Sequence, residues 1–148
     1  MTASRRTFLS VVAASSAASC LGPLAGCAAS GPSGQIDGGN VSDLEIGEAR
    51  AILDEQVAVL RDAVGVWAVT TICTHLQCDI AYQGSVGTDE IFCECHASTF
   101  TPDGDTVSGP ATRALDNFAV SIDTDGAITI DADTVVDPGT RTAVPAEA

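Results

Sequence analysis

The sequence predicts an all-β domain of small antiparallel sheets that carries a loop subdomain able to bind metal. Three observations carry this. Short runs rich in β-branched residues recur along the chain, cut by turn residues. Two pairs of these runs are separated by turn-sized gaps. Between the pairs lies a turn-rich stretch holding both histidines and every cysteine beyond residue 27.

The elements follow in chain order. Residues 46–53 (IGEARAIL) fit a strand or a short helix, with the strand preferred. Residues 57–60 and 66–72, separated by Arg61-Asp62-Ala63-Val64-Gly65, read as a hairpin. Residues 73–111 form the metal-binding insert. Residues 119–123 and 127–131 flank Thr124-Asp125-Gly126, and Asp-Gly tolerates the positive φ of tight hairpin turns. Residues 136–148 carry two prolines and no period, and read as a C-terminal tail. The folded domain is therefore expected over 41–135. Aromatic residues are only 4% of the chain, so the core rests on Val, Ile, Leu and Ala. A small core of that kind is usually stapled by a disulfide or a metal.

The N-terminus reads as an address. Ser4-Arg5-Arg6-Thr7-Phe8-Leu9 is a twin-arginine pattern, an uncharged apolar stretch runs to about Ala25, and Leu24-Ala25-Gly26-Cys27 matches the box at which bacterial-type lipoproteins are cut and acylated. Residues 1–27 are expected to be a signal, with lipid on Cys27. The competing reading is an uncleaved membrane helix, for which the run is short and weakened by Gly22, Pro23 and Gly26. Cys20 sits in a poorer box. Residues 28–40 (AASGPSGQIDGGN) are small and polar and read as a flexible tether. The expected location is the cell envelope, membrane-anchored and facing away from the cytoplasm. The twin-arginine route carries folded proteins, which suits a cofactor inserted before export.

The net charge is −14. The first 27 residues hold two of the six arginines and no acid, so the remainder carries 4 Arg against 20 acids, or −16, with no lysine. Such a surface repels phosphate backbones and argues against nucleic acid as a partner. It suits a solvated envelope protein or a positively charged redox partner.

The chemistry lies in two boxes, Cys73-Thr74-His75-Leu76-Gln77-Cys78 and Cys93-Glu94-Cys95-His96. Each offers one thiolate and one imidazole at close spacing, with one further cysteine. Several readings fit these donors. A [2Fe–2S] cluster takes four protein ligands, either four thiolates or two thiolates and two imidazoles. Zinc also takes Cys and His, but six donors are too many for its four positions. A purely disulfide-stapled domain with two idle histidines is the plainest alternative.

The boxes resemble those of the Rieske iron–sulfur proteins of cytochrome bc complexes, whose pattern is C-T-H-L-G-C and C-P-C-H-G-S. The likeness spans roughly residues 41–131, and Ser108-Gly109-Pro110-Ala111 resembles that family's proline loop. The resemblance implies one [2Fe–2S] cluster held by Cys73, His75, Cys93 and His96, and a disulfide between Cys78 and Cys95. That pairing uses every remaining cysteine, and spare thiols oxidise in exported proteins. It further implies that the Ser98 hydroxyl donates to a cluster sulfur, that Leu76 shields the cluster at a docking tip, and that three small antiparallel sheets place the cluster at an exposed end.

Four positions depart from the family. Gln77 and Ala97 stand where glycine is usual, and Glu94 where proline is usual. Phe100 stands where many high-potential members have a tyrosine that donates a hydrogen bond to a ligand sulfur. Such bonds stabilise the reduced site, so Phe100 and the charge of Glu94 both predict a lowered potential. The expected function is one-electron transfer, as a carrier or as the iron–sulfur subunit of a membrane-associated quinol:cytochrome c-type oxidoreductase. The partner would be a cytochrome or oxidoreductase subunit, with quinol as a further possibility. The alternative within the same chemistry is the small subunit of a molybdenum oxidase such as arsenite oxidase. Oxygenase chemistry on this chain is excluded, because no histidine remains for a mononuclear iron site.

Overall fold

The computed structural model describes residues 31–146. The signal expected over residues 1–27, including Cys27, lies outside the described residues, as does the start of the tether. Ten strands follow in order: β1 (Gln35–Asn40), β2 (Ala49–Ile52), β3 (Val57–Arg61), β4 (Val66–Thr70), β5 (Gly84–Val86), β6 (Ile91–Cys93), β7 (Ser98–Phe100), β8 (Thr106–Ser108), β9 (Asn117–Ile122) and β10 (Ala127–Val136). They form two antiparallel sheets among the described residues, rather than the three implied by resemblance. The frame is six-stranded, in the order β1-β10-β9-β4-β3-β2, and the insert is four-stranded, in the order β5-β6-β7-β8.

The apolar runs of β3 and β4 do not alternate with polar residues, because both faces of these strands are buried. Val57, Val59, Val66 and Ala68 enter one core with Ile36, Ile128 and Ile130. The residues between them, Ala58, Leu60, Trp67 and Val69, enter a second core with Ile80, Ile91 and Phe100. Successive strand residues point to opposite faces, so one hairpin serves both cores. Each fully buried aliphatic side chain contributes about 1.5–3 kcal/mol. The second core is what seats the insert on the frame.

Two expectations are corrected at the ends of the domain. The tether expected over residues 28–40 stops short, because Gln35–Asn40 is strand β1, paired with β10. Ile36 is buried in the first core, and Gly38 lies so close to Ile128 that a Cβ there would meet its Cγ2 at 2.5 Å. One apolar residue and a close backbone approach make a strand of a segment whose composition reads as linker. The expected tail at 136–148 is also held down. Thr142 exchanges backbone hydrogen bonds with Val66 (2.9 and 2.8 Å). Arg141 stacks 3.4 Å over the Trp67 ring and pairs with Asp62 at 3.0 Å and Asp103 at 2.5 Å. The domain therefore begins at β1, before residue 41, and continues past 135. Among the described residues, no helix is long and apolar enough to cross a membrane.

Candidate metal centre

The two boxes sit on unlike scaffolds. The first follows β4. Its backbone closes on itself: the Cys73 N–H donates to the Cys78 carbonyl (2.9 Å), and the Gln77 N–H to the Cys73 carbonyl (2.9 Å). The base is fixed by the Thr71 hydroxyl, which donates to Asp79 Oδ1 (2.8 Å), and by the Ile80 N–H, which donates to the Thr71 carbonyl (2.7 Å). The second box is the turn of the β6–β7 hairpin. Cys93 and Ser98 stand opposite each other in register, and Glu94-Cys95-His96-Ala97 forms the loop.

Both tight turns need a left-handed residue, and neither uses glycine. Gln77 has φ +60° and Ala97 has φ +56°. This conformation brings Cβ against the backbone and costs roughly 1–2 kcal/mol per residue. The departures noted at these two positions thus fall on the backbone geometry that glycine would ease.

The boxes converge. Cys78 and Cys95 form a disulfide, as the resemblance implied. The Gln83 side-chain amide approaches Cys95 Sγ to 3.0 Å, and the Glu94 N–H donates to the Gln83 carbonyl (2.9 Å). The His75 and His96 rings meet edge to face with centroids 4.7 Å apart. Cys73 and Cys93 are free and buried behind them. Burial pushes the Cys93 thiol up, and its hydrogen bond with the Cys73 thiol adds to the shift. The sulfurs of Cys78 and Cys95 and the His96 ring also lie within 4.8 Å of one another, but the disulfide leaves those sulfurs no thiolate to offer a metal.

The polar bookkeeping fits a cluster. His75 Nδ1 is buried without a protein partner. A buried lone nitrogen is costly unless something outside the protein meets it. Two buried sulfurs and such a nitrogen, with a second imidazole adjoining, make the soft and borderline donor set that iron–sulfur centres use. Ser98 is fully buried, and its Oγ accepts from the Ala111 N–H (3.2 Å), which leaves the hydroxyl proton free to donate elsewhere. That contact draws residues 108–111 over the second box. Gly109 lies against it so closely that a Cβ would come 2.4 Å from the Ala97 carbonyl oxygen. Phe100 is fully buried. Leu76 is 64% exposed at the tip, beside the two imidazoles.

The model for the family described as the Rieske [2Fe–2S] domain matches residues 35–119, more than half of the chain. The chain belongs to the Rieske [2Fe–2S] domain family. That identity carries one [2Fe–2S] cluster and an electron-transfer role, and the match begins at β1, as the fold does. Among curated relatives, the cytochrome b6-f complex iron-sulfur subunit of Chlorobaculum tepidum is 36% identical over 77 residues, covering 52% of this chain and 41% of that protein. This Rieske chain thus spans about two fifths of that relative's length. Among solved structures, the complex of reduced oxygenase and oxidized ferredoxin in carbazole 1,9a-dioxygenase matches with TM-score 0.54 and 23% identity, covering 70% of this chain and 97% of that one. The cyanobacterial plasma membrane Rieske protein PetC3 from Synechocystis PCC 6803 matches with TM-score 0.50 and 24% identity, covering 66% and 99%. These two likenesses show the Rieske fold.

Some supports of the Rieske site carry no motif in the sequence. The Thr74 hydroxyl donates to the Arg113 carbonyl (2.6 Å), linking the first box to the loop that leads into β9. Gln83 backs the disulfide from five residues beyond the first box. Asp103-Gly104-Asp105 is a polar turn, with Gly104 at φ +91° and Asp103 paired to Arg141. Trp67 is a core residue whose Nε1 donates to the Pro102 carbonyl (2.9 Å), and Tyr82 is exposed.

Proposed function

We propose that this Rieske domain is an exported one-electron carrier, or the iron–sulfur subunit of a quinol:cytochrome c-type oxidoreductase, held at a membrane through acylated Cys27 after removal of a twin-arginine signal. Cys73 and Cys93 would hold one iron through sulfur, and His75 and His96 the other through ring nitrogen. The observation that carries the reading is the pairing of two adjoining imidazoles, beside an exposed Leu76, with two buried thiols behind them. Bound there, the cluster supplies a reversible one-electron acceptor.

The chain's own residues do the rest. Burial of Cys73 and Cys93 keeps water from the sulfurs. The Ser98 hydroxyl is free to donate toward them. The Cys78–Cys95 bridge holds the two boxes at a fixed separation. His96 is exposed, so its outward ring nitrogen accepts a hydrogen bond from a quinol hydroxyl and takes its proton. Phe100 has no hydroxyl to offer a ligand sulfur, which sets the potential below that of tyrosine-bearing relatives. A relative that is the iron–sulfur subunit of a cytochrome b6-f complex supports the quinol reading over the molybdenum oxidase reading.

The test is an EPR spectrum of the dithionite-reduced, purified exported chain, with its iron content. A rhombic signal of average g below that of all-cysteine ferredoxins is expected, followed by redox titration to rank quinols as donors. Zinc in a folded protein, or a signal unchanged by His75→Ala and His96→Ala, overturns the assignment of ligands.

A further inference from the structure

Strand β1 begins at the cluster end of the frame. It is antiparallel to β10, β10 to β9, and β9 to β4, so β1 runs against β4. Since β4 delivers the chain into the first box, β1 starts where β4 ends. The side chains agree: Gly31 and Pro32 line a cavity of about 320 Å³ together with Cys73, Thr74 and Gln77. Among the described residues, Gly34 is the first tied to the frame by hydrogen bonds, through its N–H to Asp133 Oδ1 (3.1 Å) and its carbonyl from the Ala132 N–H (2.9 Å). Between Cys27 and Gly34 the chain advances seven residues, about 25 Å at full extension. The tether is thus half the length its composition implies, and it leaves beside the metal centre.

The charge pattern points the same way. In a chain of −16 beyond residue 27, the exposed tip is sparsely charged: Leu76 and Gln77 from the first box, Ala97 from the second, and Ser108, Gly109 and Pro110 from the covering loop are neutral, and Glu94 is the one exposed acid of the two boxes. Arg113 stands at this end, 63% of its side chain exposed, and is paired with Asp116 at 2.5 Å. Arg50 and Arg61 are turned inward onto backbone carbonyls, and Arg141 is clasped between Asp62 and Asp103. An acidic body is repelled by an anionic bilayer, and its sparsely charged tip, where Arg113 and Asp116 offset each other, is repelled least.

We infer that the short tether holds the cluster end of this domain against the lipid surface, with Leu76 the side chain that meets it. This rests on the lipid anchor at Cys27 proposed above. The electron donor is then one presented at the bilayer face, and the acidic far end is left to the aqueous side.

The experiment uses the full exported chain in phosphatidylcholine vesicles containing phosphatidylglycerol, with a photo-crosslinker placed by Leu76→p-benzoylphenylalanine or, in the β9–β10 turn at the opposite end, by Asp125→p-benzoylphenylalanine. Mass spectrometry after illumination should find several-fold more phospholipid adduct at 76 than at 125. Inserting about twelve Gly and Ser residues between Ser30 and Gly31 should bring the two toward equality, because the longer coil lets the domain tumble free of the surface. Equal or greater adduct at 125 with the native tether overturns the inference. So does a chain whose mass shows no acyl group on Cys27, which removes the anchor as well. An EPR spectrum of the same vesicles separates the readings: adduct at 76 without a cluster signal sinks the ligand assignment and leaves the orientation standing.

Discussion

Replacing Ala97 by glycine should stabilise the domain, against the usual sign of an Ala→Gly change. Ala97 has φ +56° at the end of the β6–β7 turn, beside His96. For an L-residue with a Cβ this conformation costs roughly 1–2 kcal/mol, and glycine removes that cost. Glycine in turn frees the unfolded chain, which subtracts about 0.4–1 kcal/mol. The Ala97 methyl is exposed, so no core contact is lost with it. The net gain is about 0.5–1 kcal/mol, and for a domain of this size the midpoint rises by about 2–4 °C. The assay is thermal unfolding by circular dichroism, in one oxidation state and at one scan rate, because loss of a cluster makes unfolding irreversible. Ala63→Gly is the control: it is exposed in the β3–β4 turn and lies outside the positive-φ region, so it should lose about 0.5–1 kcal/mol. If Ala97→Gly lowers the midpoint as Ala63→Gly does, the backbone at 97 is not strained and the argument fails.

Phe100→Tyr should raise the reduction potential by about 60 mV or more, since a hydrogen bond to a charged acceptor is worth about 1.5 kcal/mol and one-electron couples move 59 mV per factor of ten; a redox titration showing no rise would refute the role given to this position. Cys78→Ser opens a ring of sequence separation 17, worth about 3 kcal/mol on chain entropy, so the unfolding midpoint should fall by about 10 °C and iron should be lost faster to a chelator. Acid should weaken the domain in a defined window. Burial raises the Asp62 carboxyl, but hydrogen bonds from the Gly65 N–H, Arg141 and the Val64 N–H outweigh it and hold the group below its ordinary 3.8. The folded state therefore binds fewer protons than the unfolded one near pH 4, and this contribution, full above that pH, is lost as pH falls through and below it. Urea midpoints measured between pH 6 and pH 3 should show a smaller acid loss for Asp62→Asn than for the native chain; equal slopes would remove Asp62 from the account.

What was legible in the sequence was local. The two hairpins announced themselves through β-branched runs and an Asp-Gly turn, and strands β3, β4, β9 and β10 lie where those signals are. The site was legible because all its donors crowd into two boxes, so that even the disulfide partners could be named from the resemblance. The missed features depend on contacts distant in sequence. Strand β1 is polar but for Ile36, and it becomes a strand because β10 offers it an edge. The strands of the insert are three residues each, too short for a period to register. Arg141 looks like any tail arginine until the fold brings Trp67, Asp62 and Asp103 around it. Gln77 and Ala97 were legible as substitutions, but only the backbone angles show that they sit in the left-handed region.

The chain leaves the frame at Thr70 and returns at Asp116, and the Thr70 N–H donates to the Asp116 carbonyl at 2.9 Å. The whole metal-bearing subdomain is therefore spliced between two adjacent strands, entering and leaving through a single doorway. Its exchange for another such subdomain would leave the order of the six frame strands untouched. The frame is thus a socket: the boxes, their turns and the residues behind them could drift in potential and docking character as one transplantable cassette, while stability is kept by strands that never meet the metal.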